Sequence, residues 1–195
     1  EMKTLRAVLE GAGPLMMHNP QSMAEADLGG IKQKRIPTPE EEAEKGLYRN
    51  TDGTLYVPAV AVRKCMLEGA KGTRLGKFAA RNIRSGVVLL DSQSERFPLT
   101  RDGVSLTAWD MIDRQRVLVG LGRNRAGIIR SRPRFEVPWT VTGQWDFDEE
   151  GALESNIEPV RQSLERAGRM VGLLEYRVSL GGWFGRFTVL ELALI

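Results

Sequence analysis

Residues 55–63, Leu55-Tyr56-Val57-Pro58-Ala59-Val60-Ala61-Val62-Arg63, make the first strand-to-helix connection of the chain. Leu55 to Val57 reads as a short strand that follows a turn, Asn50-Thr51-Asp52-Gly53. Pro58 suits a helix start, because its fixed φ is helical and the N–H it lacks would be unpaired there anyway. The helix then runs through Val60, Ala61, Lys64, Cys65, Leu67, Glu68 and Lys71. Val60, Ala61, Cys65 and Leu67 keep a spacing of roughly 3.6 residues, a core-facing stripe flanked by Arg63, Lys64 and Lys71.

Upstream, Lys3 to Gly11 alternates, with Leu5, Ala7 and Leu9 on one side, and reads as a half-buried strand ending at Gly11-Ala12-Gly13-Pro14. Leu15 to Pro37 has no sustained period and reads as a long loop. Thr38-Pro39-Glu40-Glu41 combines a capping hydroxyl, a first-turn proline and a Glu three residues after the cap, so a short acidic helix should run to Gly46.

Downstream, Gly72 to Gly86 reads as a basic loop, Val87 to Leu90 as a short strand and Asp91 to Asp110 as irregular. Arg116–Leu121 and Arg134–Trp145 read as antiparallel strands joined by a long basic hairpin, with Ile128 and Ile129 pairing or packing inside it. A second core helix is expected from about Glu154, or from Pro159, to Arg166, with Ile157, Val160, Leu164 and Ala167 on one face. The glycine-rich stretch Gly172–Gly185 precedes a last strand, Arg186–Ile195.

Strand, helix, strand, strand, helix, strand is the order of the ferredoxin-like or RRM-like split βαβ fold. The expectation is therefore one α+β domain over 1–195, with an antiparallel sheet, both helices on one face and the other face open for binding. Extended loops are expected at 15–37, 72–86 and 122–132.

The chain has 195 residues, of which 42% are hydrophobic and 27% charged, so it can bury a sizeable core and is not disordered throughout. No stretch approaches the ~20 apolar residues of a membrane span, and Glu1-Met2-Lys3-Thr4-Leu5-Arg6 has no apolar signal core. A cytoplasmic protein without membrane contact is expected. With one cysteine, Cys65, and one histidine, His18, neither an internal disulfide nor a Cys/His zinc site can be built.

The net charge is only +3, yet the charges are segregated. Arg114, Arg116, Arg123, Arg125, Arg130, Arg132 and Arg134 occur without an acid between them. Arg63, Lys64, Lys71, Arg74, Lys77, Arg81 and Arg84 are interrupted by Glu68 alone, and Lys32, Lys34 and Arg35 form a third cluster. Acids gather at Glu40, Glu41, Glu42 and Glu44 and from Asp146 to Glu158. Such segregation suggests a face for a polyanion; the plainer reading is arginines solvating strands and loops.

Three local patterns occur in an order that resembles the RAMP superfamily, the RRM-like proteins of CRISPR systems, and in particular the subunits that polymerise along guide RNA. They are the first strand breaking into Gly13-Pro14-Leu15-Met16-Met17, the stretch Leu55 to Arg63, and Gly172-Leu173-Leu174-Glu175-Tyr176-Arg177 through Gly181-Gly182-Trp183-Phe184-Gly185-Arg186-Phe187. The layout is also similar to small phage proteins with a Gly-Pro-Leu-Met-Met-His-Asn-like start and a Gly-Arg-Phe ending. The resemblance implies an RRM-like frame whose partner is a single nucleic-acid strand. For a phage protein that partner is single-stranded DNA, coated cooperatively by copies that interlock into a helical polymer in a bacterial or archaeal cell; guide RNA is the alternative.

Sequence-independent single-strand binding needs a cationic groove and flat side chains on which bases stack. The candidate contacts are Lys32, Lys34, Arg35, Arg63, Lys64, Lys71, Arg74, Lys77, Arg81, Arg123, Arg125, Arg130, Arg132, Arg134 and Arg186, with Phe78, Trp183 and Phe184 as stacking rings. Trp183 and Phe184 have core packing as their alternative. Phe135, Trp139 and Phe187 lie among apolar strand neighbours and are expected in the core, and Trp109 stays open.

No catalytic residue, metal, cofactor or small-molecule substrate is expected. RAMP endoribonucleases use a histidine as general base, which makes His18 the one candidate for RNA cleavage, although a lone loop histidine is usually structural or solvated. Asp27 resembles a loop aspartate by which some CRISPR backbone subunits cut RNA, but no motif fixes it. Asp110 and Asp113 read as surface groups or local caps, and Cys65 as core.

Overall fold

The computed structural model describes residues 2–21, 36–73, 76–89, 94–119, 126–148 and 157–195. The elements in chain order are β1 (Met2–Gly11), β2 (Leu15–Met16), α1 (Pro39–Lys45), β3 (Tyr56–Pro58), α2 (Ala59–Ala70), α3 (Gly76–Gly86), β4 (Val87–Val88), β5 (Arg96–Arg101), β6 (Val104–Ser105), β7 (Met111–Val119), β8 (Ala126–Phe135), β9 (Thr140–Asp148), α4 (Glu158–Met170) and β10 (Phe187–Leu194). The chain is α+β with an antiparallel sheet. Its main sheet runs β10-β1-β9-β5-β3, with β4 also on β9 and β6 on β5, while β2, β8 and β7 form a second sheet.

The alternation of β1 does what it predicts. Leu5, Ala7 and Leu9 are fully buried beneath α2 and α4, alongside Trp145, Phe147, Val62, Met66, Val160 and Leu164. Thr4, Arg6, Val8 and Glu10 are on the opposite face, paired in register with Asp146, Gln144, Thr142 and Thr140 of β9. These paired residues of the two central strands therefore carry no aromatic ring on that face.

α1 is capped as read: Thr38 Oγ1 accepts from the Glu41 N–H at 3.2 Å, and the Glu41 carboxylate accepts from the Thr38 N–H at 2.9 Å. α2 also forms as expected, but its buried stripe is Ala59, Val62, Cys65, Met66, Gly69 and Ala70, which leaves Val60 54% exposed and Leu67 at the margin. The neighbour that decides this is α4, against which α2 packs more closely than one added methyl would allow. A Cβ on Gly69 would meet the Ser163 carbonyl of α4; α4 is as tight against β10, where one on Gly168 would meet the Phe187 carbonyl.

Several expectations are corrected. Residues 76–86 form helix α3, because glycine stands only at its two ends, where it punctuates a helix instead of breaking it. Arg63 fastens it by donating to the carbonyls of Arg84 (2.7 Å) and Val87 (3.0 Å). Residues 91–110 are not irregular throughout: β5 alternates, with Phe97 and Leu99 buried, and carries Pro98 opposite Tyr56 of β3. The hairpin expected as a loop over 122–132 is strand β8 from Ala126 onward, in register with β7 through pairs such as Val117 with Ile128 and Arg116 with Ile129.

The run from Arg134 to Trp145 is two strands in different sheets. The break at 136–139 is held by Arg101, which binds Asp110 through two bonds (2.8 and 2.6 Å) and donates to the carbonyls of Glu136 and Pro138, each at 2.8 Å. The Asp110 carboxylate in turn accepts the Glu136 N–H at 2.6 Å, so Asp110 is the local cap it was expected to be. The second core helix is described from Glu158, beside Pro159, to Met170; Glu154 lies outside the described residues. Of the expected loop 15–37, Leu15–Met16 is a strand on β8, and 22–35 lie outside the described residues.

Replacing Gly69 or Gly168 by Ala is expected to cost about 1–3 kcal/mol through overpacking, read as a lower urea midpoint with an unchanged m-value.

Candidate nucleic-acid interface

The glycine-rich stretch folds back over the end of β1. Gly185 N–H donates to the Pro14 carbonyl and Ala12 N–H to the Arg186 carbonyl, both at 2.8 Å, while Leu173 N–H reaches Gly185 O at 2.9 Å. Gly172 and Gly185 take positive φ (82° and 72°), a conformation that glycine adopts without steric cost. Gly182 lies so close to the Tyr176 carbonyl that a side chain would collide with it.

This tight path presents one ring and hides the next. Trp183 is 64% exposed and stacks at 5.6 Å on Phe184, which is fully buried with the Arg134 guanidinium 5.3 Å from its ring centre. Phe184 is thus part of the support for Trp183, and its expected role as a stacking ring is corrected. Arg186, two residues further on, is exposed.

Beside this loop is a cleft of about 380 Å³ between His18, Pro20, Tyr48, the first turns of α2, and residues 172–177. A bridge between Arg177 and Phe184 ties the cleft wall to the Trp183 loop. His18 lines the cleft, and partial burial lowers its pKa, with the cations Arg132 and Arg130 adding to the effect and Glu175 and Glu42 opposing it. Its imidazole is therefore neutral at neutral pH. Tyr48, whose hydroxyl donates to the His18 carbonyl at 3.3 Å, has its pKa raised by burial first and by Glu175 second. Cys65 is in the floor, its thiol 3.2 Å from the Gly172 carbonyl and its pKa pushed up to about 12 by burial, so it remains a thiol and not a nucleophile.

The arginines of β8 stand beside acids, and Arg132 is buried. Arg130 pairs with Glu42 of α1 at 3.1 Å, and the same carboxylate accepts the Ser131 N–H at 2.9 Å. Arg132, with a side chain only 10% exposed, has Glu175 at 3.9 Å, and Arg134 pairs with Glu136 at 2.6 Å and Asp113 at 3.6 Å. Of these three expected strand-binding cations, Arg130 and Arg134 are thus paired with acids and Arg132 is buried beside Glu175. Arg63, another expected contact, donates to the carbonyls of Arg84 and Val87.

Of the other candidates, Lys64, Lys71 and Arg81 are exposed on α2, its C-terminus and α3. Lys77 and Phe78 lie on the backbone of α3, so the basic loop assigned to them is a helix. Lys32, Lys34, Arg35, Arg74, Arg123 and Arg125 fall outside the described residues, as does Asp27. Phe135, Trp139 and Phe187 are core, and Trp109 packs against it half-buried. The structure adds Arg177, Tyr48 and Glu175 at the cleft and the exposed Arg114 and Arg116 of β7. Arg177 stands inside the glycine-rich motif and could have been picked from it; Tyr48 and Glu175 carry no sequence signal.

Among the described residues no group of His, Cys, Asp and Glu could hold a metal ion, and no helix is long and apolar enough to cross a membrane. Neither a family model nor a curated protein matches the chain.

Two outcomes follow from the burial in this site. Native Cys65 should resist iodoacetamide at pH 8 and react once urea unfolds the chain. An unfolded histidine takes up its proton near pH 6.5, the folded His18 only at lower pH, so the unfolded state binds more protons in between and stability falls as pH drops from 6.5 through that window. Urea titrations from pH 7.5 to 5 should show the loss, and His18→Gln should reduce it.

Proposed function

We propose that this protein binds single-stranded nucleic acid without sequence specificity, preferring DNA, and coats it cooperatively as a phage-type filament in the cytoplasm of a bacterial or archaeal cell. The observation that carries this reading is the exposed Trp183 on its buried support, Phe184 and Arg134, with Arg186 beside it: a rigid aromatic platform next to a cation is what a sequence-tolerant strand contact requires. Exposed Lys64, Lys71, Arg81, Arg114 and Arg116 add cations for phosphates.

The strand order supports a ferredoxin-like, RRM-like frame of the RAMP type. β10-β1-β9 followed by β4 and β5 on β9, all antiparallel, is the arrangement in which two strand-helix-strand halves interleave. Self-association is supported by the β7–β8 ribbon, where Leu118 is exposed two residues beyond Arg116 and Ile129 is exposed opposite Arg116. The preference for DNA rests on the likeness to phage proteins. A binding role without catalysis leaves His18 as a neutral wall residue.

Fluorescence anisotropy with single-stranded DNA, single-stranded RNA and duplex at several lengths and salt concentrations tests the reading. Single-stranded DNA should bind most tightly, more tightly as it lengthens, with log K falling by about 0.7 per log salt for each phosphate neutralised. Trp183→Ala should weaken binding by about 1–3 kcal/mol for a stacked base. Stronger RNA binding would move the assignment to guide RNA, RNA cleavage lost in His18→Ala would make the protein an enzyme, and salt-insensitive failure to bind any strand would overturn the proposal.

A further inference from the structure

We propose that the cleft between α2 and residues 172–177 binds a zwitterionic dipeptide with apolar side chains, its carboxylate at Lys64 and Arg177 and its ammonium at Glu175. The proposal does not rest on the strand-binding reading. It follows from how charge and apolar surface are set out on the two walls.

On α2, Val60, Lys64 and Glu68 follow one another at four-residue intervals, so they share one face and rise by about 6 Å from each to the next. The other wall presents Leu174, Glu175 and Arg177. Each wall thus offers an apolar group, an acid and a cation. Among the described residues Lys64 and Glu68 make neither a hydrogen bond nor an ion pair, and lysine placed before glutamate at this spacing is the weaker orientation of such a pair. The Glu175 carboxylate has a cation, Arg132, no nearer than 3.9 Å, too far for a hydrogen bond. Arg177 is fixed in place, with Nε donating to Ser179 Oγ and Nη1 to the Leu174 carbonyl, both at 3.1 Å.

The signs separate toward two ends. Burial dominates the titration of His18, Tyr48 and Cys65, but the charge felt next by the first two is Glu175, and those felt next by Cys65 are Arg177 and Glu68. One end therefore carries the negative charge of Glu175 beside a neutral imidazole and a tyrosine hydroxyl. The other carries Arg177 and Glu68, with Lys64 one helical turn from Glu68, two cations against one acid. A simple anion or a simple cation suits one end and is opposed at the other, whereas a ligand with one charge of each sign meets both. Length then selects the class. Glu175 and Arg177 are two residues apart, at most about 7 Å along the chain, which is also the span of an extended dipeptide; a free amino acid holds both charges on one carbon. The volume, about 380 Å³, falls in the roughly 300–1,000 Å³ range of small-ligand sites, and Pro58, Val60 and Leu174 supply apolar surface for the side chains.

Isothermal titration with L-leucyl-L-leucine tests this, beside its N-acetyl form, which lacks the ammonium, its C-terminal amide, which lacks the carboxylate, and free L-leucine. The dipeptide should bind with Kd of about 1 mM or tighter, and each of the other ligands at least about tenfold more weakly, the loss of one charged hydrogen-bonding group. Lys64 and Val60 are exposed, so substitutions there leave the core intact. Lys64→Met should weaken dipeptide binding about tenfold, and Val60→Trp, which fills the cleft, should abolish it. Met170→Trp, an equal insertion at an exposed position of α4, should leave it unchanged. No dipeptide binding, binding of either blocked form or of leucine as tight as that of the dipeptide, or undiminished binding to Val60→Trp would each overturn the proposal.

Discussion

The contact on which the rest of the structure depends is the indole of Trp139 lying over Gly11. Any side chain at position 11 would run into the ring, so the two strands β1 and β9 can close around it only because Gly11 has none. The indole N–H donates to Gly13 O at 2.8 Å, and the Trp139 carbonyl accepts the Gly11 N–H at the same distance. Together these fix the path of Gly11-Ala12-Gly13-Pro14 as it leaves the sheet. That path is the foundation of the candidate interface, since Ala12 and Pro14 supply the bonds that hold Arg186 and Gly185, and through them Trp183 and Phe184. A large-to-small change at Trp139 would therefore remove about 3–5 kcal/mol of packing and release the loop that carries the exposed ring.

A second constraint is electrostatic and joins parts of the chain that are far apart in sequence. The acidic helix α1 and the arginine-rich strand β8 look like separate charged surfaces when read along the chain. Folded, Glu42 bridges the Arg130 side chain and the Ser131 backbone, 88 and 89 residues away. Glu175 lies 3.9 Å from Arg132 across a gap of 43 residues, and the Tyr176 ring lies 5.3 Å from the same guanidinium. Charge segregation in sequence is thus partly an assembly code for the second sheet, and only the remainder faces outward.

What was legible and what was not divides along the range of the interactions involved. The cap at Thr38, the alternation of β1 and the start of α2 at Pro58 depend on residues within a few positions, and they stand as read. The α+β class follows from the order of those elements. Helix α3 was hidden because Gly76 and Gly86 look like loop residues until the segment between them is seen to be uninterrupted, and β5 because Pro98 reads as a break when its partner across the ladder is unknown. The fates of Arg130, Arg132 and Arg134 depend on acids elsewhere in the chain, which no local pattern displays. At the site, Trp183 and Phe184 are adjacent and alike in type; only the turn at Gly182, pressed against the Tyr176 carbonyl, decides which one faces water.

On the proposed reading, the pairing of the β8 arginines with acids shapes how this chain would hold a strand. Among the described residues, exposed cations such as Lys64, Lys71, Arg81, Arg84, Arg114, Arg116, Arg169 and Arg186 are distributed over several elements, and if one copy neutralised only a few phosphates, its own grip on a single strand would be weak. Contacts of that number give sequence-independent affinities of roughly 10⁻⁴–10⁻⁶ M at physiological salt, too weak to keep a strand covered. On the proposed reading, contact between copies would supply the difference. Burying two large aliphatic side chains contributes about 3–6 kcal/mol, a factor of roughly 10²–10⁴ in affinity, and Leu118 and Ile129 are two such side chains standing exposed on one ribbon. In a protein of this design the strand would be held less by any one copy's charge than by each copy's grip on the next.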